Sequence, residues 1–214
     1  MKTKAFLCLG FLLALASCYS DDEGYDTSYP SAISELVEVN IGSDSLAVSF
    51  TNDAGATYAI SQSIKAEVPD TAFRCYCTYA VSKDKQQSAE IFELSSILSS
   101  LPQRAEQMDS IAHDPVHITS SWCSPRYLNM YFSFKTTGKG AHRFGFCEDS
   151  IAVAANGQRV AFISLLHKRP TEDPESFSQP LYLSLPTYAY ADRADSIVLS
   201  VNTYDGVKQF GKRL

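Results

Sequence analysis

The chain has 214 residues, a net charge of −6 and no cluster of lysine and arginine, which disfavours nucleic acid and anionic membrane surfaces as partners. Its 12 tyrosines and 12 phenylalanines, beside 10 glycines and 9 prolines, are typical of a folded protein with a substantial core. A chain of this length can form one large β domain or two small ones.

The first predicted element is a signal peptide, residues 1–17, which ends immediately before Cys18. Lys2 and Lys4 precede an uncharged apolar run, residues 5–15, that is too short for a membrane-spanning helix of roughly 20 residues. Two small residues then lead to Cys18, a pattern typical of bacterial lipoproteins. We therefore predict that the Cys18 thiol is acylated and that the membrane is a partner through this lipid anchor. More than one acyl chain is needed for stable anchoring, and bacterial lipoproteins carry two or three.

An acidic tether, residues 18–30, follows the lipidation site. Asp21, Asp22 and Glu23 resemble the signal that sends some Gram-negative lipoproteins to the outer face of the outer membrane. The alternative is a solvated linker, because runs of charge are usually disordered. Loss of the two leader lysines changes the net charge from −6 to −8. We predict an outer-membrane protein on the periplasmic or extracellular face.

Short strands begin after residue 31 and indicate an all-β fold. Five short strands in about 70 residues are typical of a small barrel of the OB type, which we predict for residues 31–102. Apolar or alternating segments place these strands at Ile33–Val39, Leu46–Phe50, Thr57–Ile64, Phe73–Val81 and Ala89–Leu94.

The second predicted domain, residues 103–214, is an antiparallel β-sandwich that starts in a polar link, residues 101–108. Six or seven strands in about 100 residues favour this architecture. The predicted strands are Val116–Trp122, Tyr127–Phe134, His142–Cys147, Arg159–His167, Leu181–Leu185, Ser196–Thr203 and Val207–Phe210.

Four cysteines remain in the mature chain beyond Cys18. Cys75 and Cys77 share one face of a strand and are poorly placed to bond each other. Cys123 and Cys147 are expected near the ends of neighbouring strands, where they could form a disulfide in an oxidising compartment. The alternative, which we favour, is that all four are buried thiols.

The motifs in the sequence predict no catalytic residue, metal ligand or cofactor. His113 and His117 flank Pro115, which disfavours a helix, and in a strand they lie about 13 Å apart. The nucleophile elbow of common hydrolases is absent from the sequence. Glu172 and Asp173 lie in a proline-rich loop, where we expect them to be solvated rather than to act as a glycosidase pair. We therefore predict a protein that is not an enzyme.

Trp122 is the only tryptophan and the candidate aromatic platform for a sugar ring. The alternative, which we favour, is a core or sheet-face aromatic residue. An OB barrel can bind oligosaccharides or oligonucleotides. Basic residues are missing between the aromatic residues of the barrel, which again disfavours nucleic acid.

A tripeptide of Asp, Ser or Thr, and then an aliphatic residue or Ala recurs five times. It resembles an O-glycosylation signal used on exported proteins of some gut-dwelling bacteria. A structural alternative is that Asp-Ser forms a turn before a strand, and both can hold because a turn accommodates a glycan. The candidate hydroxyls are those of Ser45, Thr71, Ser110, Ser150 and Ser196.

Several segments are distinctive in their sequence and in their order along the chain. One is Asp-Thr-Ala-Phe-Arg-Cys-Tyr-Cys-Thr-Tyr at residues 70–79, and another is Asp-Pro-Val-His-Ile-Thr-Ser-Ser-Trp at residues 114–122. The others are residues 127–132, 173–177 and 195–206, and together they extend over nearly all of the mature chain. This ordered set resembles the NigD-like lipoprotein family. Residues 123–126, Cys-Ser-Pro-Arg, depart from the glycines common at this turn in the family.

The resemblance implies a lipidated N terminus, an OB domain and a C-terminal β-sandwich. It also implies a surface module of the bacteriocin-immunity or binding type, with a protein or glycan as ligand. The alternative is a structural accessory or glycan-binding subunit of an envelope complex. The family supplies no catalytic residues to carry over.

Overall fold

The computed structural model describes residues 31–82, 87–108 and 111–214. Within these ranges the chain forms a closed five-stranded barrel and, after it, two β-sheets that share one core. The predicted all-β fold, an OB-type barrel followed by a β-sandwich, is confirmed.

The barrel contains five strands, each of which matches a predicted one. They are β1 (Ile33–Ile41), β2 (Ala47–Asn52), β3 (Thr57–Ile60), β4 (Thr71–Val81) and β5 (Ser88–Ser96). Their order around the barrel is β1-β2-β3-β5-β4, and β4 pairs with β1 to close it. The β3–β5 pair is parallel because the chain crosses from β3 to β4 before it returns as β5. This strand order is that of the OB fold.

Alternating side chains fill the barrel interior. Val37 and Val39 from β1 and Phe50 from β2 are completely buried or nearly so. Cys75 and Cys77 from β4 point to the same interior and are free thiols, as favoured from the sequence. Burial raises the pKa of the Cys77 thiol to about 12, and nearby carboxylates and Cys75 add to this rise. These thiols therefore act as small apolar side chains.

The second domain consists of a five-stranded and a three-stranded sheet. The strands are β6 (Gln103–Arg104), β7 (His117–Cys123), β8 (Tyr127–Thr136), β9 (Arg143–Val153), β10 (Arg159–Lys168), β11 (Phe177–Pro186), β12 (Ser196–Thr203) and β13 (Gly206–Arg213). The sheet orders are β13-β12-β10-β9-β6 and β11-β8-β7. The prediction of purely antiparallel pairing is wrong for two pairs, because β10 pairs with β12, and β6 with β9, in parallel. The chain visits the other sheet as β11 between β10 and β12, which reverses its direction.

The core of the sandwich lies between the two sheets. Leu128, Met130 and Phe132 from β8 face Ile163 from β10 and Leu199 from β12, and all five are completely or almost completely buried. The opposite face of the three-stranded sheet, polar and aromatic in sequence, packs against the barrel. That face forms the contact between the two domains.

Candidate functional site

The two domains are joined by the buried side chain of Arg74. In sequence this β4 residue lies between Phe73 and Cys75, and its side chain is only 2 % exposed. Its Nη2 donates to both carboxylate oxygens of Asp53, at 2.7 and 2.8 Å, and to Oδ1 of Asn129 at 3.2 Å. Its Nε donates to the Ser184 hydroxyl at 3.2 Å, and its guanidinium lies 4.1 Å from the centre of the Tyr127 ring. One cation therefore links the barrel to two strands of the sandwich.

A second contact between the domains connects Tyr127 to the barrel. Its hydroxyl donates a hydrogen bond to the carboxylate of Glu38, which also lies 3.5 Å from the guanidinium of Arg126. Burial raises the pKa of Tyr127 above its ordinary value, and the hydrogen bond to Glu38 adds to this rise. Tyr127 is therefore a neutral donor at physiological pH.

An open groove of about 490 Å³ lies beside this contact, between the barrel and the outer face of the three-stranded sheet. Its largest exposed side chain is Trp122 on the edge strand β7, which is 37 % exposed. Its lining residues are Ser34, Glu35, Leu36, Asp53, Ala54, Tyr76, Trp122, Cys123, Ser124, Pro125 and Tyr182. Both domains contribute lining residues, so the interdomain groove exists only when the barrel and the sandwich are packed together.

Three tyrosines pack in a row that borders the interdomain groove through Tyr76 and Tyr182. Tyr76 of the barrel stacks on Tyr182 of β11, with ring centres 5.2 Å apart and planes 12° apart. Tyr182 in turn packs against Tyr131 of β8, with ring centres 4.6 Å apart. The groove therefore combines a stacked aromatic wall with the exposed indole of Trp122.

Two carboxylates line the groove, and their electrostatic settings differ. Asp53 is paired with Arg74, so its charge is compensated. Glu35 accepts hydrogen bonds from the Tyr79 hydroxyl at 2.6 Å and from Asn52 at 3.1 Å. Within the described part of the chain, Glu35 takes part in no ion pair, so it leaves a negative charge at the groove.

The disulfide considered possible between Cys123 and Cys147 is not formed, and both are free thiols, as favoured from the sequence. Cys123 ends β7, pairs with Leu128 and is exposed at the groove. Cys147 lies on β9 in the other sheet, where it pairs with Ser164 and is buried. The expectation that their strands are neighbours is wrong, because the two strands belong to different sheets of the sandwich. The alternative that all four cysteines are buried is also wrong for Cys123.

Four of the five candidate glycosylation sites lie in described parts of the chain. Ser45 is in the turn before β2, with φ of 62°, and Thr71 and Ser196 each begin a strand. These three fit the interpretation of Asp-Ser/Thr as a turn before a strand. Ser150 differs, because it is exposed within β9 next to Asp149, where the register with β10 shifts.

The other predicted site residues lie outside the described residues. They are Cys18, Asp21, Asp22, Glu23 and Ser110. Lipidation, outer-membrane export and modification at these positions stay predictions.

The expectation that Asp173 is solvated is wrong. Its side chain is buried in the sandwich, where Oδ1 accepts the Thr137 N–H at 2.6 Å and the Thr137 hydroxyl. Oδ2 accepts the Thr136 hydroxyl at 2.5 Å and lies 2.7 Å from Nε2 of His142. Burial alone would raise the pKa of Asp173, but these hydrogen bonds outweigh burial and hold the pKa well below its ordinary value.

Two kinds of feature, a membrane-spanning helix and a metal site, are absent from the described ranges. No helix there is both long enough and apolar enough to span a bilayer. No group of three or more His, Cys, Asp or Glu residues there is arranged to hold a metal ion.

Sequence reasoning missed the residues that join the domains. Arg74 and Asn129 each interrupt a run of apolar or aromatic residues in a predicted strand. A polar residue in such a position is a signal for a buried contact. Ser184 likewise interrupts the apolar run of the predicted strand Leu181–Leu185, whereas the sequence offers no comparable signal for Asp53, which is brought to Arg74 only by the tertiary fold.

An OB-type barrel joined to a β-sandwich by a buried arginine defines the class: a two-domain all-β protein with an interdomain groove. The family model described as the NigD-like C-terminal beta sandwich domain matches residues 99–211. Because this match covers more than half of the chain, the chain belongs to the NigD-like family.

Three solved structures show how the whole fold compares. A NigD-like immunity protein from Bacteroides caccae is 27% identical, with a TM-score of 0.63 over 86% of this chain and 93% of its own. A proposed toxin-related protein from Parabacteroides distasonis is 15% identical, with a TM-score of 0.67 over 86% and 93%. A proposed lipoprotein from Bacteroides fragilis is 12% identical, with a TM-score of 0.60 over 86% and 98%. The last two share the fold alone, and no curated protein matches the chain.

Proposed function

We propose that this protein is a non-enzymatic lipoprotein of the outer membrane that binds a peptide or protein in its interdomain groove, in a role of the bacteriocin-immunity type. The family supports this role, because the Bacteroides caccae structure is of a NigD-like immunity protein. Cys18 supplies the lipid anchor, and Asp21, Asp22 and Glu23 direct export to the outer membrane.

The exposed indole of Trp122 is the observation that carries the proposal. Tryptophan and tyrosine dominate the residues that contribute most to binding at protein interfaces, because they bury a large rigid surface at a low entropy cost. Trp122 lies in a groove with Tyr76 and Tyr182, so one ligand segment can contact all three rings. The negative charge of Glu35 favours a ligand segment with a basic side chain.

The contact between the domains also favours binding. Arg74 of the barrel donates hydrogen bonds to Asn129 and Ser184 of the three-stranded sheet. Tyr127 of the sheet donates a hydrogen bond to Glu38 of the barrel. The walls of the interdomain groove are therefore set before a ligand arrives. A preformed site loses less conformational entropy on binding than one that must assemble.

The test is survival of host cells challenged with bacteriocin, with and without the gene and with Trp122→Ala. We expect the Trp122→Ala cells to be killed like cells without the gene, at equal protein levels. Phe92→Ala is the matched control, because Phe92 is 53 % exposed on the barrel and does not line the groove. Equal protection by the unchanged protein, Trp122→Ala and Phe92→Ala would remove the groove from the proposal.

A glycan is the second candidate ligand, and the aromatic wall favours it. Sugar rings pack their C–H groups on aromatic faces, and the groove also offers the hydroxyls of Ser34 and Ser124 as hydrogen-bonding partners. Glycan-array binding by the unchanged protein that is lost in Trp122→Ala and kept in Phe92→Ala would establish this alternative. The absence of array binding, together with protection from bacteriocin, would exclude it.

The anchor is tested separately from the ligand. In cells that produce Cys18→Ser we expect the protein to leave the membrane fraction, since the thioether-linked acyl chains are missing. Protease treatment of intact cells then distinguishes the two faces of the outer membrane. Equal membrane retention of Cys18→Ser would refute the lipid anchor.

A further inference from the structure

We propose that the rings of His142 and His167 together carry three protons on nitrogen, one more than two neutral imidazoles would carry. The pair therefore has a single buried positive charge, which lies opposite Asp173. The pair lies in the sandwich, away from the interdomain groove, and is independent of the proposed function. His142 precedes β9, His167 lies near the end of β10, and Asp173 lies in the loop 169–176 between β10 and β11.

Three hydrogen bonds connect these groups in a row. Nδ1 of His167 lies 3.0 Å from the backbone oxygen of Asp114. Nε2 of His167 lies 2.8 Å from Nδ1 of His142. Nε2 of His142 lies 2.7 Å from Oδ2 of Asp173. All three distances are those of direct hydrogen bonds, so each requires one proton between its two atoms.

Counting protons along the row gives the charge. A carbonyl oxygen can only accept, so Nδ1 of His167 carries a proton. The bond between the two rings needs a second proton. An ionised carboxylate can only accept, so Nε2 of His142 carries a third. Two neutral imidazoles carry two protons in total, and the third therefore gives the pair one positive charge.

The bonds of Asp173 favour an ionised carboxylate over the other source of the third proton, a protonated carboxyl group. Oδ1 accepts the backbone N–H of Thr137, which can only donate. On the other side, Oδ2 faces the Thr136 hydroxyl, whose oxygen already accepts the N–H of Gly138 and whose proton is therefore free to point at Asp173. The carboxylate is thus surrounded by donors, and the charge of the pair is balanced by an anion in direct contact.

The other groups around the pair are compatible with this charge. Phe134 of β8 and Phe144 of β9 place their rings 4.4 Å from His142 and His167 respectively, and an aromatic face attracts a cation. Burial lowers the pKa of His167, and Asp114, whose carboxylate accepts the backbone N–H of Arg169, acts on His167 in the opposite direction. His113 lies next to His167 through a β-bridge and faces the backbone oxygen of Leu165.

The shared proton acts as a clamp on loop 169–176. With the proton present, Asp173 ties this loop to His142 at the start of the neighbouring hairpin. Without the proton, one of the three contacts has a hydrogen-bond acceptor on each side and no hydrogen between them. The attachment of the loop is therefore expected to weaken as the pH rises above neutrality.

The proton count is measured by NMR of the mature chain, labelled with ¹⁵N-histidine and carrying Cys18→Ser to keep it in solution. At pH 7 we expect three protonated ring nitrogens and one unprotonated nitrogen on His142 and His167 together. Two protonated and two unprotonated nitrogens would overturn the proposal. His117, exposed on β7, is the internal reference for an accessible ring.

Two variants test the role of Asp173 in the same spectra. In Asp173→Asn the amide group can donate to Nε2 of His142, so we expect the pair to hold only two protons. In Thr137→Val the carboxylate stays, so we expect three. Three protons in a folded Asp173→Asn protein would refute the assignment of the counter-charge. Amide exchange of residues 169–176, corrected for intrinsic rates, should increase above pH 8 in the unchanged chain, and constant protection would refute the clamp.

Discussion

Replacing Arg74 by alanine should weaken the contact between the barrel and the sandwich without removing any apolar core side chain. Arg74 alternates with the β4 side chains that fill the barrel interior, and it bonds to Asp53, Asn129 and Ser184. Its removal leaves Asp53 without the cation that compensates it. Asn129 and Ser184 still bond each other, because the Ser184 hydroxyl donates to Oδ1 of Asn129 at 2.6 Å.

The expected loss of stability follows from the interaction that each partner of Arg74 loses. Breaking a buried ion pair by removing one partner costs about 3–5 kcal/mol. The Asp53 side chain is 23 % exposed, so water can partly solvate the freed carboxylate, and the lower end applies. The Asn129 and Ser184 groups keep each other as partners and add little. We therefore expect Arg74→Ala to lower the free energy of unfolding by about 3 kcal/mol.

The assay is urea unfolding of the mature chain, followed separately by tryptophan fluorescence and circular dichroism. With a slope of about 2 kcal/mol per M, the midpoint should fall by about 1.5 M. Arg159→Ala is the control, because the Arg159–Asp195 pair has an N–O distance of 3.6 Å and two partly exposed side chains, and should cost below about 1 kcal/mol. A loss for Arg74→Ala no larger than that for Arg159→Ala would refute the role of Arg74.

Three further predictions concern the sandwich and its surface. Gly140 has a φ of +78°, and an added Cβ would lie 2.9 Å from Pro170, so Gly140→Ala should destabilise the protein by about 2–3 kcal/mol. Gly157→Ala is the control, because Gly157 has a similar φ of +83° but open space around it, and it should cost less. Equal losses of stability in thermal unfolding would contradict the clash with Pro170. Burial lowers the pKa of His167 from 6.5, and the pKa of Asp173 is lowered from 3.8, so the stability that each contributes is lost as the pH falls below these ordinary values. The extra proton of the histidine pair has the opposite effect, because the stability that it contributes is lost as the pH rises. The unfolding free energy should therefore peak near pH 6.5. A flat profile between pH 4 and 9 would contradict both pH dependences. Protein from its native host should exceed the mass of the lipidated chain by that of attached glycans, and a mass equal to the lipidated chain alone would remove the glycosylation hypothesis.

The strands could be predicted because their cause is local. Residues such as Leu128, Met130 and Phe132 alternate with more polar ones, and this period places one set of side chains on a single face of a strand. This pattern does not depend on distant residues, so the strands of the barrel and of the sandwich could be predicted with nearly correct bounds. Pairing depends on which strands meet, and this is why two strand pairs of the predicted antiparallel sandwich are parallel and why Cys123 and Cys147 lie in different sheets.

The sequence by itself determined the alternation of apolar and polar residues, and with it the two β domains. Only the tertiary structure decided what the second face of a strand contacts, and so which polar side chains are buried. Arg74 meets Asn129 and Ser184 across 55 and 110 residues of sequence, and Asp173 meets His142 across 31. The reason is physical: the desolvation of a charged group is compensated by partners that come close only when the whole chain has folded.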